Sequence, residues 1–117
     1  MWRLERDLRI VYLNGDYIPK ADARVSIFDR AVLFSDAVYE VISVIGGSLI
    51  DMERHVTRLE RSLGELSINA FADWPAVAQK LVRENGLQEG LVYLQVSRGV
   101  MEDRDYRWPD PETPPTI

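Results

Sequence analysis

The chain has 117 residues, no cysteine and a single histidine, His55, which leaves one domain's worth of protein and excludes a disulfide scaffold, a thiolate zinc site, a multi-histidine metal site and a cysteine nucleophile. Nineteen acids against 14 bases give a net charge of −5, the wrong sign for a general nucleic-acid binder, and no apolar run approaches the roughly 20 residues of a membrane span. The N-terminal stretch MWRLERDLRI is too charged for a signal peptide, so a cytoplasmic protein of mixed α and β structure is expected.

Residues 10–13, IVYL, form a short run of β-formers, and Asn14-Gly15 before Asp16-Tyr17-Ile18 is a hairpin signal, because a type I′ turn needs positive φ at both central positions. Pro19 ends the second strand or keeps it at an edge. Residues 20–35 show no clear period and predict a loop with one short turn of helix. Residues 36–45, DAVYEVISVI, predict a long strand. Tyr39, Val41 and Ser43 share one face, and Val38, Glu40, Ile42 and Val44 the other. Neither face is polar throughout, so both are expected to be covered, with Glu40 needing a partner. Gly46-Gly47 turns the chain into a short return strand over 48–50.

Residues 51–66 give the clearest helical pattern, with Asp51 as its expected N-cap. At about 100° per residue, Met52, Val56, Leu59, Leu63 and Leu66 fall in a stripe roughly 80° wide. Arg54 and Arg61 lie nearly opposite that stripe, while Arg58 sits about 120° away, on the flank beside His55 and Ser62. Asp73 caps a second helix, Trp74 and Pro75 occupy its first turn, Val77, Leu81 and Val82 face the core, and Asn85-Gly86 stops it. Residues 90–98 predict the last strand, with Tyr93, Gln95 and Ser97 on one face and Val92, Leu94 and Val96 on the other. The tail from Gly99 to Ile117 holds four of the six prolines and five acids, which forbids regular structure. It reads as a frayed terminus or as a loop and linker.

Composition alone offers thin site candidates. There is no nucleophile–base pair, no Gly-rich phosphate loop and no metal cluster. His55 reads as a packed or surface histidine, Ser35 and Ser43 lack a local base, Tyr39 reads as core, and Arg58 and Arg104 read as surface charges.

The order of segments adds a resemblance. Asp29-Arg30, then Phe34-Ser35-Asp36-Ala37-Val38-Tyr39-Glu40-Val41-Ile42, then Gly46-Gly47, then His55-Val56-Thr57-Arg58-Leu59 resembles the N-terminal domain of fold-type IV pyridoxal-phosphate aminotransferases, most nearly the D-amino-acid aminotransferases. Tyr93 to Gly99, followed by Arg104 and a Pro-rich stretch, extends it. The likeness runs from Tyr12 to Ile117. It implies the small α+β domain of that fold, a twisted, mostly antiparallel sheet flanked by two helices on one side. Residues 1–10 would be an N-terminal extension, 11–98 the domain, and 99–117 a substrate loop and the approach to an interdomain linker.

The resemblance implies roles residue by residue. Arg58 matches an arginine that contacts the 5′-phosphate of pyridoxal phosphate. Tyr39 matches a tyrosine that hydrogen-bonds the substrate α-carboxylate. Arg104 matches the arginine of the same carboxylate trap, which reaches in from the neighbouring subunit of a homodimer. Tyr106 stands where the D-amino-acid enzymes usually have histidine, and a phenol can donate a hydrogen bond but adds no positive charge near neutral pH. Ala37 replaces a frequent glycine. The family's catalytic lysine lies in a second, C-terminal domain, and neither Lys20 nor Lys80 matches its position, so no catalytic residue is expected in this chain and no activity from it alone. The implied reaction of the complete enzyme is transfer of an amino group between a D-amino acid and a 2-oxo acid. The alternatives are a branched-chain or (R)-amine transaminase, an aminodeoxychorismate lyase relative, or a stand-alone domain without catalysis. No nucleic acid, membrane or metal is expected as a partner.

Overall fold

The computed structural model describes residues 7–117, so the first six residues of the expected N-terminal extension lie outside the described residues. The Asn14-Gly15 turn forms with both residues at positive φ. It joins β1 (Ile10–Leu13) to β2 (Asp16–Pro19), and Val11 pairs with Ile18 and Tyr12 with Tyr17. Pro19 closes that ladder at its end, where its missing N–H costs nothing. The hairpin is a sheet of its own rather than part of one continuous sheet.

The segment 20–35 holds two short helical pieces instead of one. A 3₁₀ turn spans Lys20–Asp22, and α1 spans Arg30–Phe34. Asp29 caps α1 by accepting from the Ala31 N–H, and Ser35 ends it in the left-handed conformation. Five residues are too few to show a 3.6-residue period.

The second sheet has the order β4-β3-β5, built from β3 (Ala37–Ile45), β4 (Ser48–Leu49) and β5 (Glu89–Ser97), all antiparallel. In the β3–β5 register Tyr39 faces Gln95, Val41 faces Tyr93 and Ile42 faces Val92. Two helices, α2 (Met52–Leu66) and α3 (Trp74–Glu84), cover one face. Ile42, Val44 and Val92 pack with Ala78 and Val82 in one cluster, and Val96 packs with Leu59, Leu63, Ile68 and Trp74 in another. Ile42, Leu59 and Val96 are excluded from water almost completely, and each such burial contributes about 1.5–3 kcal/mol.

Among the described residues only that face is covered. Tyr39, Val41, Ile45, Leu91 and Tyr93 on the other face remain exposed, which corrects the expectation of two covered faces and of Tyr39 as core. Tyrosine and β-branched residues fit a pleated surface whether or not anything lies over it, so their presence does not report burial. Ser97 departs from its face-mates Tyr93 and Gln95 by being buried, because the tail returns over this end of the sheet and Ser97 exchanges backbone hydrogen bonds with Thr116.

Two further expectations change. Asp51 stands at the N-cap of α2, but at φ 54° its side chain makes no capping bond, and only its carbonyl accepts, from the His55 N–H. Asp73 does cap α3, accepting from the Ala76 N–H at 3.2 Å. The tail lacks helix and strand, as its prolines require, yet it is not frayed. The Asn14 N–H donates to the Ile117 carbonyl at 2.9 Å, and the Asn14 side chain accepts from the Ile117 N–H at 2.8 Å. Among the described residues no helix is long and apolar enough to cross a membrane.

Candidate active site

Glu40 sits on the covered face of β3 and is 4% exposed, so its carboxylate needs partners. They come from the flank of α2. Arg58 closes a fork on it, Nε donating to Oε2 at 2.9 Å and Nη2 to Oε1 at 2.8 Å, and His55 Nδ1 lies 2.6 Å from Oε1. The spacing of three residues puts His55 and Arg58 on one side of the helix. The Arg58 bonds hold the Glu40 carboxyl below its usual range, burial opposes this, and His55 adds to the lowering. Glu40 in turn raises the Arg58 guanidinium above its usual value, with a smaller contribution from the nearby Tyr39 phenol. The Arg58 side chain is 66% exposed, and its Nη1 makes no hydrogen bond to the described residues. Arg58 is thus fixed in orientation with donors still open to solvent.

Tyr39 belongs to the uncovered face of the same strand. Its ring stacks on Tyr93 with centroids 5.7 Å apart, and Tyr93 donates its hydroxyl proton to Gln95 at 2.7 Å. Among the described residues the edge of β3 around Tyr39 carries no second strand, because β4 pairs only with Val44 and Ile45. One strand therefore presents Tyr39 above the sheet and Glu40, holding Arg58, below it.

Arg104 and Tyr106 lie elsewhere, in the tail loop. Arg104 Nη1 donates to the Tyr106 hydroxyl at 3.1 Å, and its guanidinium lies 4.7 Å from the centre of the Phe34 ring. No described contact joins Arg104 or Tyr106 to Tyr39 or Arg58. Lys20 donates to Asp7 at 2.9 Å and Lys80 lies over the Tyr17 ring, both beside the hairpin.

A second carboxylate cluster, around the partly buried Asp36, gives no clear signal in the sequence. Asp36 accepts from Arg98 Nε at 2.6 Å and Nη2 at 3.1 Å, and from Arg30 Nε at 2.7 Å. Burial pushes its carboxyl up, and the two guanidiniums outweigh that and hold it below the usual range. Arg30 is six residues from Asp36 but Arg98 is 62 away, and the only available signal was an acid and two arginines bordering apolar segments.

No family model matches the chain. It is 34% identical over 92% of its length to a D-alanine aminotransferase of Staphylococcus aureus strain MSSA476, of which it covers 39%. It is 36% identical over 86% of its length to the D-alanine aminotransferase of Listeria monocytogenes serotype 4b, again covering 36% of that protein. The chain thus spans about two fifths of the length of the curated relatives it matches. Among solved structures, a 4-amino-4-deoxychorismate lyase from Pseudomonas aeruginosa superposes with a TM-score of 0.67 at 29% identity, over 90% of this chain and 36% of that one. The Escherichia coli branched-chain amino acid aminotransferase superposes with a TM-score of 0.80 over 93% of this chain and 38% of that one, at an identity of 14% that speaks to the fold alone. In sequence the chain is similar to a segment of D-alanine aminotransferases, and in fold to a segment of the solved lyase and branched-chain aminotransferase.

Proposed function

We propose that this chain is the substrate- and phosphate-recognising part of a pyridoxal-phosphate transaminase that moves an amino group between a D-amino acid and a 2-oxo acid, in a cytoplasmic homodimer. The observation that carries the reading is the Arg58–Glu40 fork. It uses one edge of the guanidinium and leaves Nη1 toward solvent, so the group offers a fixed cationic edge of the kind that suits a phosphate. Bound pyridoxal phosphate supplies the electron sink for removal of the Cα proton. Within this chain Arg58 binds its phosphate. Tyr39 donates a hydrogen bond to the substrate carboxylate, and Arg104 with Tyr106 takes the same carboxylate from the neighbouring subunit. Clamping the carboxylate at two points fixes which hydrogen of Cα faces the cofactor. The chain supplies recognition only, and the catalytic lysine lies outside it.

The D-alanine aminotransferase relatives support the substrate class. The lyase likeness at 29% identity supports the second reading, conversion of 4-amino-4-deoxychorismate. The test is turnover by the protein extended with the sequence encoded after Ile117. Amino transfer from D-alanine to a 2-oxo acid is expected, with none from the 117-residue chain plus pyridoxal phosphate. Consumption of 4-amino-4-deoxychorismate without amino transfer would establish the second reading, and preference for an L-branched-chain amino acid or an (R)-amine would replace the D-amino-acid assignment. Activity of the 117-residue chain would overturn the recognition-only role.

A further inference from the structure

Helix α1 carries two side chains one turn apart, Arg30 and Phe34, and both meet the loop 101–108. Arg30 is 4% exposed, too buried to touch a ligand. Its Nε donates to Asp36, and its Nη1 donates to the carbonyls of Asp105 at 3.2 Å and Arg107 at 3.4 Å and lies 3.1 Å from Met101 Sδ. Those two carbonyls flank Tyr106, and Asp105 directly follows Arg104. The backbone reinforces the junction, since the Arg30 N–H donates to the Gly99 carbonyl at 2.8 Å and the Met101 N–H to the Phe28 carbonyl at 3.0 Å. Phe34 supports the side chains of the same loop. The Arg104 guanidinium lies 4.7 Å from its ring centre, and the Tyr106 ring centre 5.5 Å away. Residues 101–108 belong to no helix or strand, so their shape has to be imposed by such contacts.

We propose that Arg30, assisted by Phe34, is a positioning residue that fixes the loop 101–108 and so aims Arg104 at a carboxylate. This rests on the reading of Arg104 as a carboxylate ligand given above. Lysine cannot substitute for Arg30, because one ammonium lacks the planar fork that serves a carboxylate and two carbonyls together. The cation–π contacts of Phe34 then set the direction of the Arg104 guanidinium once the loop is in place.

Two measurements on Arg30→Lys and Phe34→Leu separate the parts. The first is hydrogen exchange in the 117-residue chain. Arg30→Lys is expected to speed exchange of loop amides about tenfold while α3 is unchanged. Unchanged loop exchange overturns the anchoring. If Arg30→Lys loosens α3 as well, Phe34→Leu decides by the same criterion over residues 104–106, since it removes none of the hydrogen bonds around Asp36, only the contact of the Arg30 guanidinium with the ring at 4.8 Å. The second is the KM-against-kcat split in the extended, active protein. KM for the amino acid is expected to rise about tenfold with kcat changed less than about twofold, whereas a merely structural role would lower the active fraction and leave KM alone. A loosened loop with unchanged KM would overturn the role of Arg104 as a carboxylate ligand, while the anchoring would stand.

Discussion

Two carboxylates four residues apart, Asp36 and Glu40, are each answered by two basic side chains, and the two clusters do opposite things. Around Asp36, the Arg30 and Arg98 side chains are 5% and 10% exposed, and Arg30 Nη1 and Arg98 Nη1 and Nη2 donate to backbone carbonyls of Leu66, Ser67, Asp105 and Arg107. Around Glu40, the Arg58 side chain stays 66% exposed with donors to spare. The pairing chemistry is the same. What differs is where the unused guanidinium donors point, and that decides whether an ion pair locks chain segments together or holds a cation ready for a ligand.

The largest effect is expected from Asp36→Asn. It leaves two buried guanidiniums without a counter-charge and removes the link between α1, the start of β3 and the end of β5. A loss of about 3 kcal/mol or more in unfolding free energy is expected, read from urea denaturation. Glu40→Gln is expected to cost less, about 1–2 kcal/mol, because the amide oxygen still accepts one hydrogen bond and Arg58 can turn to water. If the two substitutions cost the same, the distinction between the clusters fails.

Acid should act on both. Each carboxyl titrates lower in the folded chain than in the unfolded one, so its contribution is fully present above the ordinary carboxylate pKa of about 4 and is lost as pH falls through the lower folded value. Urea midpoints are expected to hold steady from pH 7 to about 5 and to fall below about 4. Asp36→Asn should flatten that acid limb more than Glu40→Gln. An acid limb unaltered in Asp36→Asn would mean that the buried pair does not carry the linkage.

Local signals of the fold were legible in the sequence. The hairpin at Asn14-Gly15, the Asp73 cap and the α2 stripe each follow from bonds or packing within a few residues. Even the flank position of Arg58 follows from helix geometry, and so did the need of Glu40 for a partner. What could not be read depends on contacts across the chain. Arg98 meets Asp36 over 62 residues, and Arg30 meets the Asp105 carbonyl over 75. The open face of β3 and β5 has the same residue types as a covered one. Asp51 has the right side chain for a cap, but its left-handed backbone turns the carboxylate away from the helix N–H groups.

The smallest effect on stability is expected from Arg58→Gln, and that smallness is informative. Its guanidinium is largely solvated, so removing it returns little buried surface to water, and Glu40 keeps its hydrogen bond with His55. The melting temperature is expected to fall by less than about 2 °C, and by less than in Glu40→Gln. On the proposed reading of Arg58 as a phosphate ligand, the same substitution should weaken pyridoxal-phosphate affinity by tenfold or more, on the order of one charge-assisted hydrogen bond to phosphate. Equilibrium dialysis against the cofactor, set beside thermal melts of the same variant, makes the comparison. A side chain kept only to satisfy Glu40 would show the reverse ordering, a large loss of stability with cofactor affinity unmoved.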